Sequence, residues 1–206
     1  MSADASGLPR LGPLQPDEWG EAEYSAFGAM LRMPGDKVPR AGSGHKYDPM
    51  RFSVVGTMVR HPELAGAFWK FNGQQLNNNS LPLRWRELTI LRVAHHCRSV
   101  YEWGQHAKIA LEGGITHDEI DQLARGNTGF SGTDRLILEA TDELLTKGRI
   151  DGDVWERLQT ELSIHQAMDL IFLVGTYNML AMAFETWGLQ PELDTAALPD
   201  AQPLAP

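Results

Sequence analysis

The sequence predicts an all-α protein with about eight helices. Helix start and stop signals recur along the chain, whereas no segment shows the alternation of apolar and polar residues that is typical of a strand. Three segments have Ser or Thr followed three residues later by Glu or Gln, which is the pattern of a capping box at a helix N-terminus. These pairs are Ser99 and Glu102, Thr116 and Glu119, and Ser163 and Gln166.

The first helix is predicted from Pro16 to Met33, because proline suits a first helical turn and the Pro-Gly pair after Met33 suits an exit. Residues 35–48 are a loop rich in glycine and basic residues, long enough to be a pocket lid or a subunit contact. One or two helices follow around Pro62, and the sequence NNNSLP ends them.

The remaining helices follow closely after one another. An apolar face predicts a helix from Leu83 to about Ala94, and the three capping boxes each begin another. The last helix is long and apolar and ends near Trp187. The predicted ranges are 83–94, 99–111, 116–124, 133–147, 153–162 and 163–187.

The domain is predicted over residues 17–189. Residues 1–16 and 190–206 are rich in proline and alanine and are predicted to be a flexible N-terminal arm and a flexible C-terminal tail. Either segment could become ordered against a partner subunit.

Composition restricts the class of protein. The formal net charge of −9, without a compensating Lys/Arg block, argues against a nucleic-acid partner. One cysteine, Cys97, excludes an intrachain disulfide and fits a reducing compartment. The N-terminus lacks the features of a signal peptide, and no apolar run reaches the length of a membrane span. A cytoplasmic protein without a membrane partner is expected.

The segment SVYEWGQHA places Ser99, Glu102 and His106 three and four residues apart, along one side of a helix. Ser99 and Glu102 could simply cap that helix. Alternatively, Glu102 could orient the His106 imidazole and raise its basicity, with Glu87 as a second carboxylate on an apolar helix.

Other polar residues nearby carry weaker signals. His95, Glu102 and His106 would form a metal-binding set only on one continuous helix, and the predicted break argues against it, so no metal is expected. Cys97 is interpreted as a buried structural thiol. The apolar residues of the last helix are interpreted as core: Leu170, Leu173, Val174, Tyr177, Leu180 and Met182.

The sequence LRWRELTILRVAHHCRSVYEWGQHAKIALEGGITHDEIDQL, residues 83–123, resembles the central segment of the carboxymuconolactone decarboxylase family, which includes the AhpD-like alkylhydroperoxidases. VGTYNMLA resembles the closing helix of that family. In the peroxidase branch the motif is Glu, eleven residues, Cys, two residues, Cys, three residues, His. Its positions fall on Glu87, Ser99, Glu102 and His106, so both cysteines are replaced. Since peroxide reduction needs those thiols, the resemblance argues against peroxidase activity.

The resemblance implies an AhpD-like bundle and a cofactor-independent acid–base lyase or isomerase, acting on a small lactone or a related carboxylated, enolisable compound. His106 would transfer the proton. Glu102 would orient the His106 ring or share its proton, and Glu87 would be the second carboxylate. Ser99 and Tyr101 would contact the substrate. The cation that seats its carboxylate would come from Arg84, Arg86, Arg51 or Arg92.

Two other functions stay open at this stage. Cys97 could serve a peroxidase-like oxidoreductase, or the chain could be a non-catalytic oligomeric binding protein. A closed apolar pocket holding Glu87, Glu102 and His106 would favour the lyase, and a Glu102 that faces solvent would favour the scaffold. The family resemblance also implies a homo-trimer or a hexamer, with sites near subunit contacts.

Overall fold

The computed structural model describes residues 9–192 and 195–199, and these residues form nine α-helices and no strand. The all-α prediction is therefore confirmed. The helices are α1 (Glu21–Leu31), α2 (Ser53–Met58), α3 (Pro62–Asn77), α4 (Leu83–Cys97), α5 (Val100–Glu112), α6 (His117–Arg125), α7 (Gly132–Lys147), α8 (Gly152–Glu161) and α9 (Ile164–Trp187). The chain divides into two compact units, the first including residues 9–78 and 184–192 and the second residues 79–183 and 195–199.

The first unit is built on α1 packed against α3. Its core is aromatic: the Phe27 ring lies edge-on to both Trp19 and Trp69, with centroids 6.3 and 6.0 Å apart. Such pairs favour a tilted or T-shaped arrangement because ring edges are positive and ring faces negative. The unit thus has its own hydrophobic core.

Residues 9–16, for which the sequence predicts a flexible arm, pack into the first unit. The Leu14 side chain belongs to the core, and its amide donates to the carbonyl of Gly56 at 3.0 Å. Residues 1–8 of the predicted arm lie outside the described residues. Leu14 and the hydrogen bond from Arg60 Nε to the Gly12 carbonyl at 2.7 Å both hold this segment in the first unit.

Part of the predicted C-terminal tail is also packed. In the first unit, Ser53 Oγ donates to the Gln190 carbonyl at 3.0 Å. In the second unit, Thr195 packs closely on Gly104: a Cβ added to Gly104 would lie only 2.7 Å from the Thr195 Cβ. Leu198 packs against the core of the same unit. The rest of the tail, 193–194 and 200–206, lies outside the described residues.

The second unit is built around α4, which packs against α5, α6 and α7. The buried leucines and alanines of α4 pack against Trp103 of α5, which is only 1% exposed. Helix α4 reaches Cys97, three residues beyond the predicted end. Arg98 ends it in the left-handed conformation (φ 56°), so α4 and α5 are separate helices.

Two of the three predicted capping boxes are confirmed. Thr116 and Glu119 cap each other at the start of α6, and the Ser163 amide donates to the Gln166 side chain at 2.9 Å before α9. The third is wrong. Ser99 is the N-cap of α5, but its hydroxyl accepts no capping hydrogen bond because the side chain is turned into the interior.

Helix α9 has one buried and one exposed apolar side. Five of the six residues predicted as core are buried, but Met182 is 60% exposed and that assignment is wrong. It belongs to an exposed apolar stripe at spacings of three and four residues: Ile164, Met168, Ile171, Phe172, Met179 and Met182. By length and composition α9 could cross a membrane, yet half of that stretch is buried within the structure.

Candidate acid–base site

A carboxylate and an imidazole meet between α4 and α5. Glu87 on α4 is fully buried, and its Oε2 lies 2.7 Å from the Nδ1 atom of His106 on α5. The partner that orients the ring is therefore Glu87, whereas the sequence favoured Glu102 for that role. With the carboxylate accepting at Nδ1, Nε2 is the ring nitrogen left for proton transfer to a ligand.

The same carboxylate is held on its other side by a cation. Arg86 Nε donates to Glu87 Oε1 at 3.0 Å, and the Arg86 side chain is 18% exposed. The guanidinium compensates the charge of the buried carboxylate, which would otherwise be costly to remove from water. Arg86, Glu87 and His106 form one hydrogen-bonded chain that fixes the orientation of the imidazole.

The two residues at the thiol positions of the peroxidase motif are also buried. Ser99 is 0% and Glu102 is 2% exposed. The Ser99 hydroxyl has no hydrogen-bond partner among the described residues. Because residues 99, 102 and 106 follow one another at spacings of three and four, they lie along one side of α5.

Tyr177 on α9 is a site residue that the sequence interpretation missed. Its ring stands perpendicular to the His106 imidazole, at 88° with centroids 5.0 Å apart. Burial raises the pKa of the Tyr177 phenol well above its usual value, and the charges of Glu87 and Glu102 raise this pKa further. The hydroxyl is thus neutral at physiological pH. The only signal in the sequence was a tyrosine within an apolar run. The hydroxyl of a buried tyrosine usually needs a hydrogen-bond partner.

Of the four candidate arginines, Arg86 is the one that contacts the Glu87–His106 pair. Arg84 instead binds Asp134, with Nε 2.9 Å from Oδ2, and Glu119. The Arg84 guanidinium and the Thr116 backbone amide lower the pKa of Glu119 to about 2. With two carboxylates on it, Arg84 is poorly placed to seat a substrate carboxylate.

The other two arginines and Tyr101 have different surroundings. The Arg92 side chain is 2% exposed and is bound by Asp142. Arg51 is exposed in the first unit, at the end of a short 3₁₀ helix, and Tyr101 is buried on α5. The substrate contacts assigned to Arg51 and Tyr101 stay predictions.

His95 does not join the acid–base residues in a metal site. Among residues 9–192 and 195–199, no three His, Cys, Asp or Glu side chains could together hold a metal ion. The His95 ring instead lies 5.9 Å from that of Trp103, and burial together with the Arg92 charge lowers its pKa. This residue is therefore a neutral part of the core.

The Cys97 thiol is half-buried at the end of α4. Its Sγ donates to Oδ1 of Asn178 on α9 at 3.2 Å. A thiol held in this way contributes to packing of the helix end, in accordance with the structural interpretation.

The comparisons with known proteins concern the helical fold and the segment that holds the buried Glu87–His106 pair. Residues 62–143 match the model of the carboxymuconolactone decarboxylase family, and the chain lacks the two thiols of the peroxidase motif. No curated protein matches the sequence.

Two solved proteins share the fold. A protein of unknown function from Agrobacterium tumefaciens, described as a candidate AhpD antioxidant defence protein, is 18% identical, with a TM-score of 0.60 over 66% of this chain and 94% of its own. The debrominase Bmp8 is 14% identical in both of its structures. Bound to 2,3,4-tribromopyrrole, as a cysteine-to-alanine variant, it has a TM-score of 0.66 over 89% of this chain and 91% of its own. The apo form has a TM-score of 0.65.

Proposed function

We propose that this protein is a cofactor-independent acid–base lyase or isomerase that acts on a small lactone or a related carboxylated, enolisable compound. The observation that carries the proposal is the buried chain from Arg86 through Glu87 to His106. Such a chain orients an imidazole for proton transfer and requires no thiol. The buried Glu102 supplies a second carboxylate on the same side of α5.

In a decarboxylation, the bond between the ring carbon and the substrate carboxylate breaks and carbon dioxide leaves. The electron pair of that bond remains as an extended enolate. The His106 imidazolium then delivers a proton from Nε2 to the enolate carbon, and the neutral imidazole recovers a proton from water. Glu87 stabilises the imidazolium, and Arg86, which also holds Glu87, would be the cation for the substrate carboxylate. Burial limits the access of water to the carbanion.

This proposal is tested by incubating the wild type and His106→Ala with a panel of small carboxylated lactones. We expect wild-type release of carbon dioxide from at least one compound, at a rate about 10²-fold or more above that of the variant. Thermal-shift binding of the same panel identifies the compounds to assay. A wild type that neither binds nor turns over any carboxylated lactone would contradict the lyase.

Peroxidase chemistry at Cys97 is the alternative within enzymes. Ser99 and Glu102 stand where that chemistry needs thiols, and Cys97 lies outside these positions. We expect no appreciable peroxide turnover with a dithiol reductant, and Cys97→Ser should leave lactone turnover nearly intact because Sγ donates to Asn178 and not to the acid–base chain. Peroxide consumption that disappears in Cys97→Ser would establish the alternative.

A non-catalytic scaffold is the alternative from another class. In a scaffold, Glu102 could face solvent, since no reaction would require its carboxylate to be buried away from water. Glu102 is instead 2% exposed and lies on the same side of α5 as His106, which is the arrangement that proton transfer needs.

We propose that the protein is a homo-trimer or a hexamer. The exposed apolar stripe of α9 supports this, because contiguous apolar surface is typical of subunit contacts. Light scattering at micromolar concentration should give a mass in multiples of three chains. The contact between subunits is expected to bury roughly 2,000 Å² or more in total. Replacing Met168 and Phe172 by glutamate should shift the mass to the monomer, whereas Glu112→Gln should not. A wild-type monomer would contradict the assembly.

A cytoplasmic location and a small-molecule substrate complete the proposal, with neither nucleic acid nor a membrane as partner. The acidic net charge of −9 supports the first of these exclusions. The half-buried α9 supports the second, since half of its apolar stretch is buried within the structure and its exposed apolar stripe is proposed above as a subunit contact.

A further inference from the structure

The proposed reaction creates an electrostatic problem in this site. The site already contains two buried carboxylates, Glu87 and Glu102, and Arg86 Nε donates to Glu87. An enolate would add a further negative charge nearby. In a water-poor site, an oxyanion is stabilised mainly by preorganised hydrogen-bond donors placed where the charge develops. Donors that carry no negative charge are therefore required beside the carboxylates.

Ser99 has the properties of such a donor. Its side chain is 0% exposed, and its Oγ has no hydrogen-bond partner among the described residues. A buried hydroxyl without a partner is unfavourable for folding, so its presence calls for an explanation. Capping of α5 does not explain it, because the hydroxyl accepts no bond from the first turn. A hydrogen bond to a ligand would satisfy it.

Tyr177 has the second hydroxyl at this site. Its ring is 3% exposed and stands perpendicular to the His106 imidazole at a centroid distance of 5.0 Å. The ring contact places Tyr177 against the imidazole that Glu87 orients. Because burial raises the pKa of this phenol, it retains its proton and can donate a hydrogen bond.

We propose that the hydroxyls of Tyr177 and Ser99 hold the enolate oxygen of the substrate while His106 transfers the proton to carbon. This inference rests on the proposed function and specifies its substrate class: a compact compound whose decarboxylation leaves a planar lactone enolate. Tyr177 is then a catalytic residue. The competing role for Tyr177 is packing alone, in which only the ring supports the imidazole.

Tyr177→Phe separates these two roles, because phenylalanine keeps the ring and removes the hydroxyl. Ser99→Ala does the same for the second donor. Tyr24→Phe is the matched control: Tyr24 is a buried tyrosine of the first unit, whose hydroxyl accepts from the Ala41 amide. Circular dichroism and the unfolding midpoint of each variant verify that it folds.

The probe is tetronate, a five-membered lactone enolate that is an anion at neutral pH, and its uncharged methyl ether is the reference ligand. Calorimetry should show that Tyr177→Phe and Ser99→Ala each bind tetronate about tenfold or more weakly than the wild type, the scale for a hydrogen bond to a charged group. Affinity for the ether should change little in either variant. Tyr24→Phe should bind both ligands as the wild type does.

Wild-type affinity for tetronate in both folded variants would overturn the donor assignment and leave the proposed lyase intact. If the wild type itself does not bind tetronate in preference to the ether, the enolate chemistry fails, and the donor assignment fails with it. The two failures are therefore distinguishable in one set of titrations.

Discussion

Replacing Glu87 by glutamine is expected to lower lactone turnover about 10²-fold or more, the usual scale for a general acid–base group. The carboxylate Oε2 lies 2.7 Å from His106 Nδ1, so its charge stabilises the imidazolium formed during proton transfer. Glutamine keeps the size of the side chain but removes that charge. Its amide nitrogen can also donate to Nδ1, which would move the imidazole proton to Nε2. The measurement is kcat on the compound that the wild type decarboxylates.

A second readout for Glu87→Gln does not depend on the substrate. Nitrogen NMR of the His106 ring should report protonation at Nδ1 in the wild type and a change of tautomer in the variant. Glu112→Gln, an exposed glutamate of α5, is the control and should alter neither the ring spectrum nor kcat. Wild-type kcat in Glu87→Gln would show that the pair is only structural.

The fold was predictable from the sequence because its signals are local. Capping residues at Thr116 and Ser163 mark helix starts that the structure reproduces, and Arg98 ends α4 near the expected break. The errors concern exposure. Met182 is apolar and correctly spaced for the core, yet it lies on the exposed side of α9, because periodicity identifies an apolar stripe but not its partner.

The sequence pointed to Glu87 and His106, which the structure brings together, but it did not give their geometry. Glu87 and His106 are separated by 19 positions, and only the packing of α4 on α5 brings them together. Ser99 and Glu102 fit a capping box in the sequence, but in the structure both side chains are buried and the Ser99 hydroxyl caps nothing. Tyr177 comes from a distant helix with no motif of its own. Contacts between helix faces depend on tertiary packing, which local patterns do not encode.

The second large effect is expected on stability, at Arg92. Its Nε and Nη2 bind the two carboxylate oxygens of Asp142 at 2.6 and 3.1 Å, and its Nη1 donates to the Leu123 carbonyl at 2.8 Å. Arg92→Met should lower the free energy of unfolding by about 3 kcal/mol, because the Asp142 carboxylate, 19% exposed, keeps its hydrogen bond from Asn127 but loses its cation. Urea denaturation followed by circular dichroism measures this loss.

The double variant Arg92→Met, Asp142→Leu should recover much of that loss, since a buried ion pair can often be replaced by apolar residues at little cost. The exposed pair Arg135–Glu139 on α7 is the control, with side chains 47% and 20% exposed. Arg135→Met should cost about 1 kcal/mol or less. Because Arg92 contacts α6 and α7 rather than His106, folded Arg92→Met should retain lactone turnover. A loss below about 1 kcal/mol in Arg92→Met would mean that the pair contributes no more than a surface salt bridge.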